Sequence, residues 1–177
     1  MPALRDDIDP DGLLEYSVVF SDRSLNSMSD AFGEVMRDIS RIMRNAYGAA
    51  SVAVVPGGGT YGMEAIARQF ANDARVLVIR NGWFSYRWSQ IMEAGKLASQ
   101  TTVLAAIQSD DSTDAPFAPC PLEDILERIR AEKPDVVFCP HVETSAGMMM
   151  PDNFIRAVTD CVHEHGGIFV LDCVASG

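Results

Sequence analysis

The sequence predicts an α/β fold of three layers, in which helices cover both faces of a mostly parallel sheet. Two observations predict this fold. Short apolar stretches of strand length alternate with stretches whose apolar residues recur at helical spacing, which is typical of β-α-β units. In addition, residues 167–172 are apolar up to a final carboxylate, which predicts a central strand that is covered on both faces and ends in a buried aspartate.

The predicted elements follow one another in a regular order. A helix at residues 29–47 is closed by Gly48, because glycine readily takes the left-handed conformation that ends a helix. Strands are predicted at residues 51–55, 75–79, 101–107, 135–139 and 167–172. Helices are predicted between them at residues 60–71, 84–94, 122–132 and 152–165. We expect an N-terminal arm at residues 1–25, followed by the α/β region at residues 26–177.

Composition narrows the classes of function. The chain has 177 residues, of which 47% are hydrophobic and 22% charged, with a net charge of −11. This excess of acidic residues argues against binding to nucleic acid or to an anionic membrane surface, which requires clustered basic residues. The sequence shows no membrane span or signal peptide, and its four cysteines show no metal-binding or disulfide spacing. We therefore expect a cytoplasmic protein with a small-molecule ligand and no bound metal.

A glycine-rich turn at residues 56–62 lies between a predicted strand and a predicted helix. Free backbone N–H groups at such a helix N-terminus suit a phosphate. The same glycines match the pattern G-x-G-x-x-G of dinucleotide sites, but that pattern requires an acidic residue about 20 positions on, where Arg80 and Asn81 stand. A turn that needs glycine only for a positive φ is the alternative without a ligand.

Three further motifs follow predicted strands. Residues 81–88 are rich in aromatic side chains, any of which could stack on a flat cofactor or anchor a helix to the sheet. Residues 141–147 contain the polar sequence Glu-Thr-Ser. Asp172 ends the last strand, where an aspartate can also bind Mg²⁺ or cap the next helix.

Together these motifs match the requirements of pyridoxal 5'-phosphate (PLP). The carboxyl ends of parallel strands share one edge of the sheet, which is where ligands bind. The phosphate of PLP requires a cradle, its ring face a stacking partner and its ring oxygen a polar neighbour. A carboxylate beside the pyridine nitrogen keeps that nitrogen protonated.

With these motifs in this order, the chain resembles the class V aminotransferases of PLP fold type I, near the alanine–glyoxylate and serine–pyruvate aminotransferases. The resemblance is carried by residues 57–65, by Asn81 and Gly82 with Arg87, by residues 141–147 and by residues 172–176. It implies the large domain of that fold, incomplete at the C-terminus, with PLP as cofactor. It also implies amino-group transfer from an alanine- or serine-type amino acid to a glyoxylate- or pyruvate-type 2-oxo acid, by a homodimer when full length.

The resemblance also implies which residues bind the cofactor. They are Gly58, Gly59 and Thr60 at the phosphate, Phe84 stacked on the ring, Thr144 beside the ring oxygen, Asp172 at the pyridine nitrogen and Val174 beneath the ring. Trp83 is the rival of Phe84 for the stacking position.

The Schiff-base lysine of the family follows the aspartate strand, at a position beyond Gly177. The only lysines in the sequence are Lys96 and Lys133, which lie in predicted surface segments. We therefore expect no catalytic residue in this chain, no activity from the chain alone, and a longer parent enzyme or a truncated product. Other PLP chemistry such as β-elimination or desulfuration, a Rossmann-like nucleotide-binding domain and a non-catalytic fragment are the alternatives.

Overall fold

The structure is a computed structural model that describes residues 27–177. The described residues fall into two compact units, residues 27–55 and residues 56–177. The predicted N-terminal arm at residues 1–25 lies outside the described residues, so that boundary stays a prediction.

In the first unit, the predicted helix is confirmed as α1, Asp30–Tyr47. Its N-terminus is capped by Ser29, whose Oγ accepts a hydrogen bond from the Phe32 N–H at 3.1 Å. Gly48 ends the helix at φ 58°, in the left-handed region.

The strand predicted at residues 51–55 is wrong, because this segment has no regular structure and is mostly exposed. An apolar run indicates a tendency to be buried, whereas a strand also requires a neighbouring backbone to pair with. None of the sheets formed within residues 27–177 includes this segment.

The second unit contains the remaining elements, and its helices and principal strands lie close to their predicted positions. The helices are α2 (Gly59–Phe70), α3 (Trp83–Gly95), α4 (Leu122–Glu132) and α5 (Asp152–His163). The principal strands are β1 (Arg75–Arg80), β2 (Gln100–Ala105), β5 (Val136–Pro140) and β8 (Ile168–Asp172). Short strand pairs join β3 (Ile107–Gln108) to β4 (Phe117–Ala118) and β6 (Val142–Glu143) to β7 (Met148–Met149), with a 3₁₀ turn at Thr144–Ala146.

The four principal strands form one parallel sheet in the order β2-β1-β5-β8. Val76 pairs with Thr101 on one side and with Val136 on the other, so β1 lies inside the sheet. The prediction that β8 is a central strand is wrong for the sheet as described, since β8 lies at its edge with β5 as its one neighbour. Its residues are accordingly half-buried or exposed.

The core is divided between the two faces of the sheet, as the predicted three-layer arrangement requires. On one face, Leu77 and Ile79 of β1 pack in a cluster with side chains of α4 and α5. On the other face, Val76 and Val78 pack with side chains of α2 and α3. Because successive side chains of a strand point to opposite faces, the unbroken apolar run of β1 supplies both clusters.

No helix within residues 27–177 is both long enough and apolar enough to cross a membrane.

Phe138 is the central aromatic residue of the second cluster, and we predict that Phe138→Ala destabilises the fold. Its side chain is 0% exposed and its ring stacks on Trp88 with a centroid distance of 4.3 Å. We expect the free energy of unfolding to fall by about 3–5 kcal/mol in urea denaturation. Phe70→Ala is the control, because Phe70 is 44% exposed. Equal losses for the two variants would contradict this assignment of the core.

Candidate functional site

A cavity of about 230 Å³ lies at the carboxyl edge of the sheet. Its walls come from the first turn of α2, the start of α3 and the end of β8. The lining residues are Gly59, Thr60, Met63, Trp83, Phe84, Arg87, Asp172 and Val174. The structure therefore brings five of the seven predicted cofactor-binding residues together around one cavity, whereas Gly58 and Thr144 do not line it.

The first wall is the N-terminus of α2. Gly58 precedes this helix without any side-chain cap, and the first turn carries no acidic residue. The first N–H groups of α2 thus have no side-chain acceptor in the described part of the chain, and they lie at the positive end of the helix dipole. This is the arrangement that binds phosphate groups in proteins.

The glycines of the turn differ in whether the backbone conformation there requires glycine. Gly57 has φ 132°, and a Cβ there would lie 2.7 Å from Cδ2 of Tyr61, so the turn itself requires glycine at this position. Gly58 lacks a positive φ and has open space around it, and a Cβ on Gly59 would meet only Val174, at an ordinary 3.8 Å. The geometry of the turn therefore explains Gly57 but leaves Gly58 and Gly59 as bare backbone beside the cavity.

The second wall is aromatic. Trp83 and Phe84, the first two residues of α3, are 65% and 51% exposed, and both line the cavity. The choice between them as the stacking residue stays open. Arg87 follows Phe84 by three positions, so it lies on the same side of the helix and adds a positive charge to the cavity. Sequence reasoning placed Arg87 in the motif without assigning it to the cavity.

The third wall is the end of β8. Asp172 is half-buried and not fully buried as predicted, because β8 is an edge strand of the described sheet. Its Oδ1 accepts a hydrogen bond from the Val174 N–H at 3.1 Å, which holds the carboxylate in place. The other carboxylate oxygen makes no hydrogen bond within residues 27–177, so it is free to accept one. Val174 is 79% exposed beside it.

Glu143 connects the loop after β5 to the start of α3. Its side chain is 0% exposed, and its two carboxylate oxygens accept hydrogen bonds from the N–H groups of Phe84 at 3.0 Å and Ser85 at 2.9 Å. The Ser85 hydroxyl donates a further hydrogen bond at 2.6 Å. A neighbouring hydroxyl, Oγ of Ser145, accepts from the Trp83 N–H at 2.8 Å and donates to Glu143 at 2.5 Å. The carboxylate thus caps α3 from outside the helix.

These contacts set the charge state of Glu143. Burial by itself raises the pKa of this carboxyl, but the hydrogen bonds donated by Ser145, Ser85 and Phe84 outweigh burial and hold the pKa below its usual value. Glu143 is therefore ionised at neutral pH, and it balances the positive end of the α3 dipole.

Sequence reasoning did not assign this capping role. It selected Thr144, which is exposed in the 3₁₀ turn, whereas Glu143 and Ser145 on either side of it make the contacts to α3. An acidic residue directly after a predicted strand was the available signal, and only the fold shows that it faces a helix N-terminus.

The remaining titratable groups among residues 27–177 form neither a metal site nor a reactive thiol. No group of histidine, cysteine and acidic side chains among residues 27–177 could hold a metal ion. Burial raises the pKa of all four thiols, in Cys139 to about 12, so none of them is a ready nucleophile. Lys96 and Lys133 are exposed residues at the C-terminal ends of α3 and α4, and neither lines the cavity.

No protein-family model matches the sequence. Among solved structures, the ureidoglycine–glyoxylate aminotransferase of Bacillus subtilis matches with a TM-score of 0.70 and 22% identity over 86% of this chain and 37% of its own. The alanine–glyoxylate aminotransferase of Nostoc sp. gives 0.68 and 22%, over 86% and 38% of the two chains. An aspartate aminotransferase of Thermus thermophilus gives 0.67 and 25%, over 86% and 40%.

The chain has the fold of these aminotransferases. The predicted fold class, the large domain of PLP fold type I, is thereby confirmed, as is the resemblance to class V aminotransferases at the level of the fold. The chain spans well under half the length of the solved structures that it matches.

We predict that Glu143→Gln destabilises the protein by about 1–3 kcal/mol at neutral pH, because the amide must direct a donor toward backbone N–H groups. The contribution of the carboxylate is fully present above its unfolded-state pKa, near 4.5, and is lost as the pH falls through its lower folded-state value. Urea denaturation from pH 7 to pH 3.5 should therefore show the two proteins converging in acid. Glu127→Gln, in an exposed position on α4, is the control. A pH-independent difference would contradict the assignment.

We also predict that Gly82→Ala disturbs the Glu143 cap. A Cβ at this position would lie 2.5 Å from Oγ of Ser145 and 2.8 Å from Cγ of Glu143. We expect a loss of about 1–3 kcal/mol in thermal or urea unfolding. Gly62→Ala is the matched control, since it has open space within α2 and alanine favours a helix by about 1 kcal/mol. The packing argument fails if both variants gain stability.

Proposed function

We propose that this chain is the cofactor-binding part of a PLP-dependent aminotransferase. The single observation that carries the proposal is the convergence of an uncapped helix N-terminus, two exposed aromatic rings and a strand-end carboxylate on one cavity. We infer that the reaction transfers an amino group from an alanine- or serine-type amino acid to a glyoxylate- or pyruvate-type 2-oxo acid. Two of the solved structures with this fold are glyoxylate aminotransferases, which supports that substrate class.

The residues present fit PLP group by group. The N–H groups at Gly59 and Thr60, with the Thr60 hydroxyl, would hold the phosphate. Phe84 or Trp83 would cover one face of the ring, and Val174 would pack against the other. PLP, when bound, supplies an electron sink for the charge that develops at the substrate Cα.

Asp172 has the most specific role in this proposal. Its free carboxylate oxygen would accept a hydrogen bond from the protonated pyridine nitrogen and would keep the proton on that atom. The hydrogen bond from the Val174 N–H fixes the carboxylate before the cofactor arrives. Arg87 would balance negative charge within the same cavity.

The nucleotide-binding alternative is weaker. Its pattern requires an acidic residue after β1 to bind a ribose hydroxyl, and Arg80 and Asn81 occupy that position.

A lysine that could move the substrate proton does not line the cavity in the described part of the chain. We therefore propose that catalysis requires a lysine outside these 177 residues, in a cytoplasmic enzyme that is a homodimer at full length.

Cofactor binding is testable on the 177-residue chain. Pyridoxamine 5'-phosphate is the suitable probe, because it lacks the aldehyde that would react with Lys96 or Lys133. We expect saturable binding, detected through tryptophan fluorescence and calorimetry. Asp172→Asn and Thr60→Ala should each weaken binding by about tenfold, as the loss of a hydrogen bond to a charged group predicts.

Asp160→Asn, an exposed change on α5, serves as the control and should bind like the unmodified chain. Unchanged binding by all three variants would place the probe elsewhere and overturn the cofactor assignment. In the complete enzyme, alanine and glyoxylate should give pyruvate and glycine in equal amounts, and the absence of glycine would remove the transamination proposal while leaving the binding result intact.

A further inference from the structure

A second and larger cavity, of about 550 Å³, lies at the same edge of the sheet. It is lined by Arg80, Asn81, Gly82, Trp83, Ala105, Ala106, Ala115, Pro116, Phe117, Ser145 and Ala146. Trp83 belongs to the lining of both cavities, so the two adjoin at this residue. The volume is within the usual range of small-molecule sites, and the carboxyl ends of β1 and β2 are where such sites form in α/β sheets.

The outer wall of this cavity is an ordered loop. Residues 107–108 pair with residues 117–118, and the Ser109 N–H donates to the Pro116 carbonyl oxygen at 3.0 Å. The Gln108 side chain donates to the carbonyl oxygens of Ser112 and Ala115. The loop therefore presents Ala115, Pro116 and Phe117 to the cavity as a largely apolar surface.

Among the lining residues in the range 27–177, Arg80 alone carries a charge. It forms no ion pair with any residue in the range 27–177, and its guanidinium lies 5.2 Å from the centroid of the Tyr86 ring. The ring holds the cation without neutralising it.

We propose that this cavity is a binding site for a small carboxylate with an apolar body. The planar guanidinium of Arg80 matches a carboxylate in shape and charge. The alanine side chains and Phe117 would cover the apolar part of the ligand. This site is distinct from the cofactor cavity and does not depend on the function proposed above.

The test compares 4-phenylbutyrate with its neutral isostere 4-phenylbutanamide by ¹H–¹⁵N NMR titration of the 177-residue chain. We expect shifts at the backbone amides of Ala105, Ala106 and Phe117, with the carboxylate bound about tenfold more tightly than the amide. Arg80→Gln should abolish this preference. The exposed Arg130→Gln on α4, which removes the same charge, should keep it.

Ala105→Leu provides a second variant that does not touch the charge. Its larger side chain would occupy the cavity and should reduce the binding of both ligands. Equal binding of carboxylate and amide, shifts confined to Gly59 and Thr60 of the other cavity, or no shifts at the named amides up to the solubility limit would each overturn the proposal.

Discussion

The buried carboxylate of Glu143 joins two strand-end loops that the chain places far apart in sequence. Its hydrogen bonds to the N–H groups of Phe84 and Ser85 hold the start of α3 against the loop after β5. Without an acceptor at this point, the first turn of α3 would leave backbone donors unsatisfied in a buried setting. The positions of Trp83 and Phe84, and hence the shapes of both cavities, depend on this one contact.

The cap also explains why small residues, Gly82 and Ser145, surround the Glu143 carboxylate. Gly82 approaches the carboxylate so closely that no Cβ fits, and the Ser145 hydroxyl bridges the remaining distance to the Trp83 N–H. A carboxylate that accepts this many hydrogen bonds is ionised despite its burial. The result is a fixed negative charge at the start of α3, next to the two aromatic residues that line the cofactor cavity.

Much of the fold could be predicted from the sequence, since apolar runs and helical spacing report burial directly. The three strands β1, β5 and β8 were located to within a residue or two because each is a continuous apolar run between turn signals. Residues 51–55 have the same pattern but pair with no strand within residues 27–177, and periodicity carries no information about partners. The edge position of β8 was missed for the same reason.

The candidate site was predictable where it follows strand ends, as with Phe84 and Asp172, which the fold brings to one cavity. The capping contacts of Glu143 and the position of Arg80 beside an apolar loop were not predictable. Both depend on tertiary contacts. Glu143 faces the N-terminus of α3, and Arg80 shares a cavity with the apolar loop at residues 115–117.

The pairing of β1 with β5 has a consequence for the kinetics of folding. Residues 76–78 of the inner strand find residues 136–138 only after the whole segment between them, including α3, β2 and α4, has been brought into place. Parallel strands cannot form from a local hairpin, and a high mean separation between contacting residues slows folding. The chain should therefore fold slowly for its size, and during synthesis the pairing of β1 with β5 can form only after β5 has emerged from the ribosome.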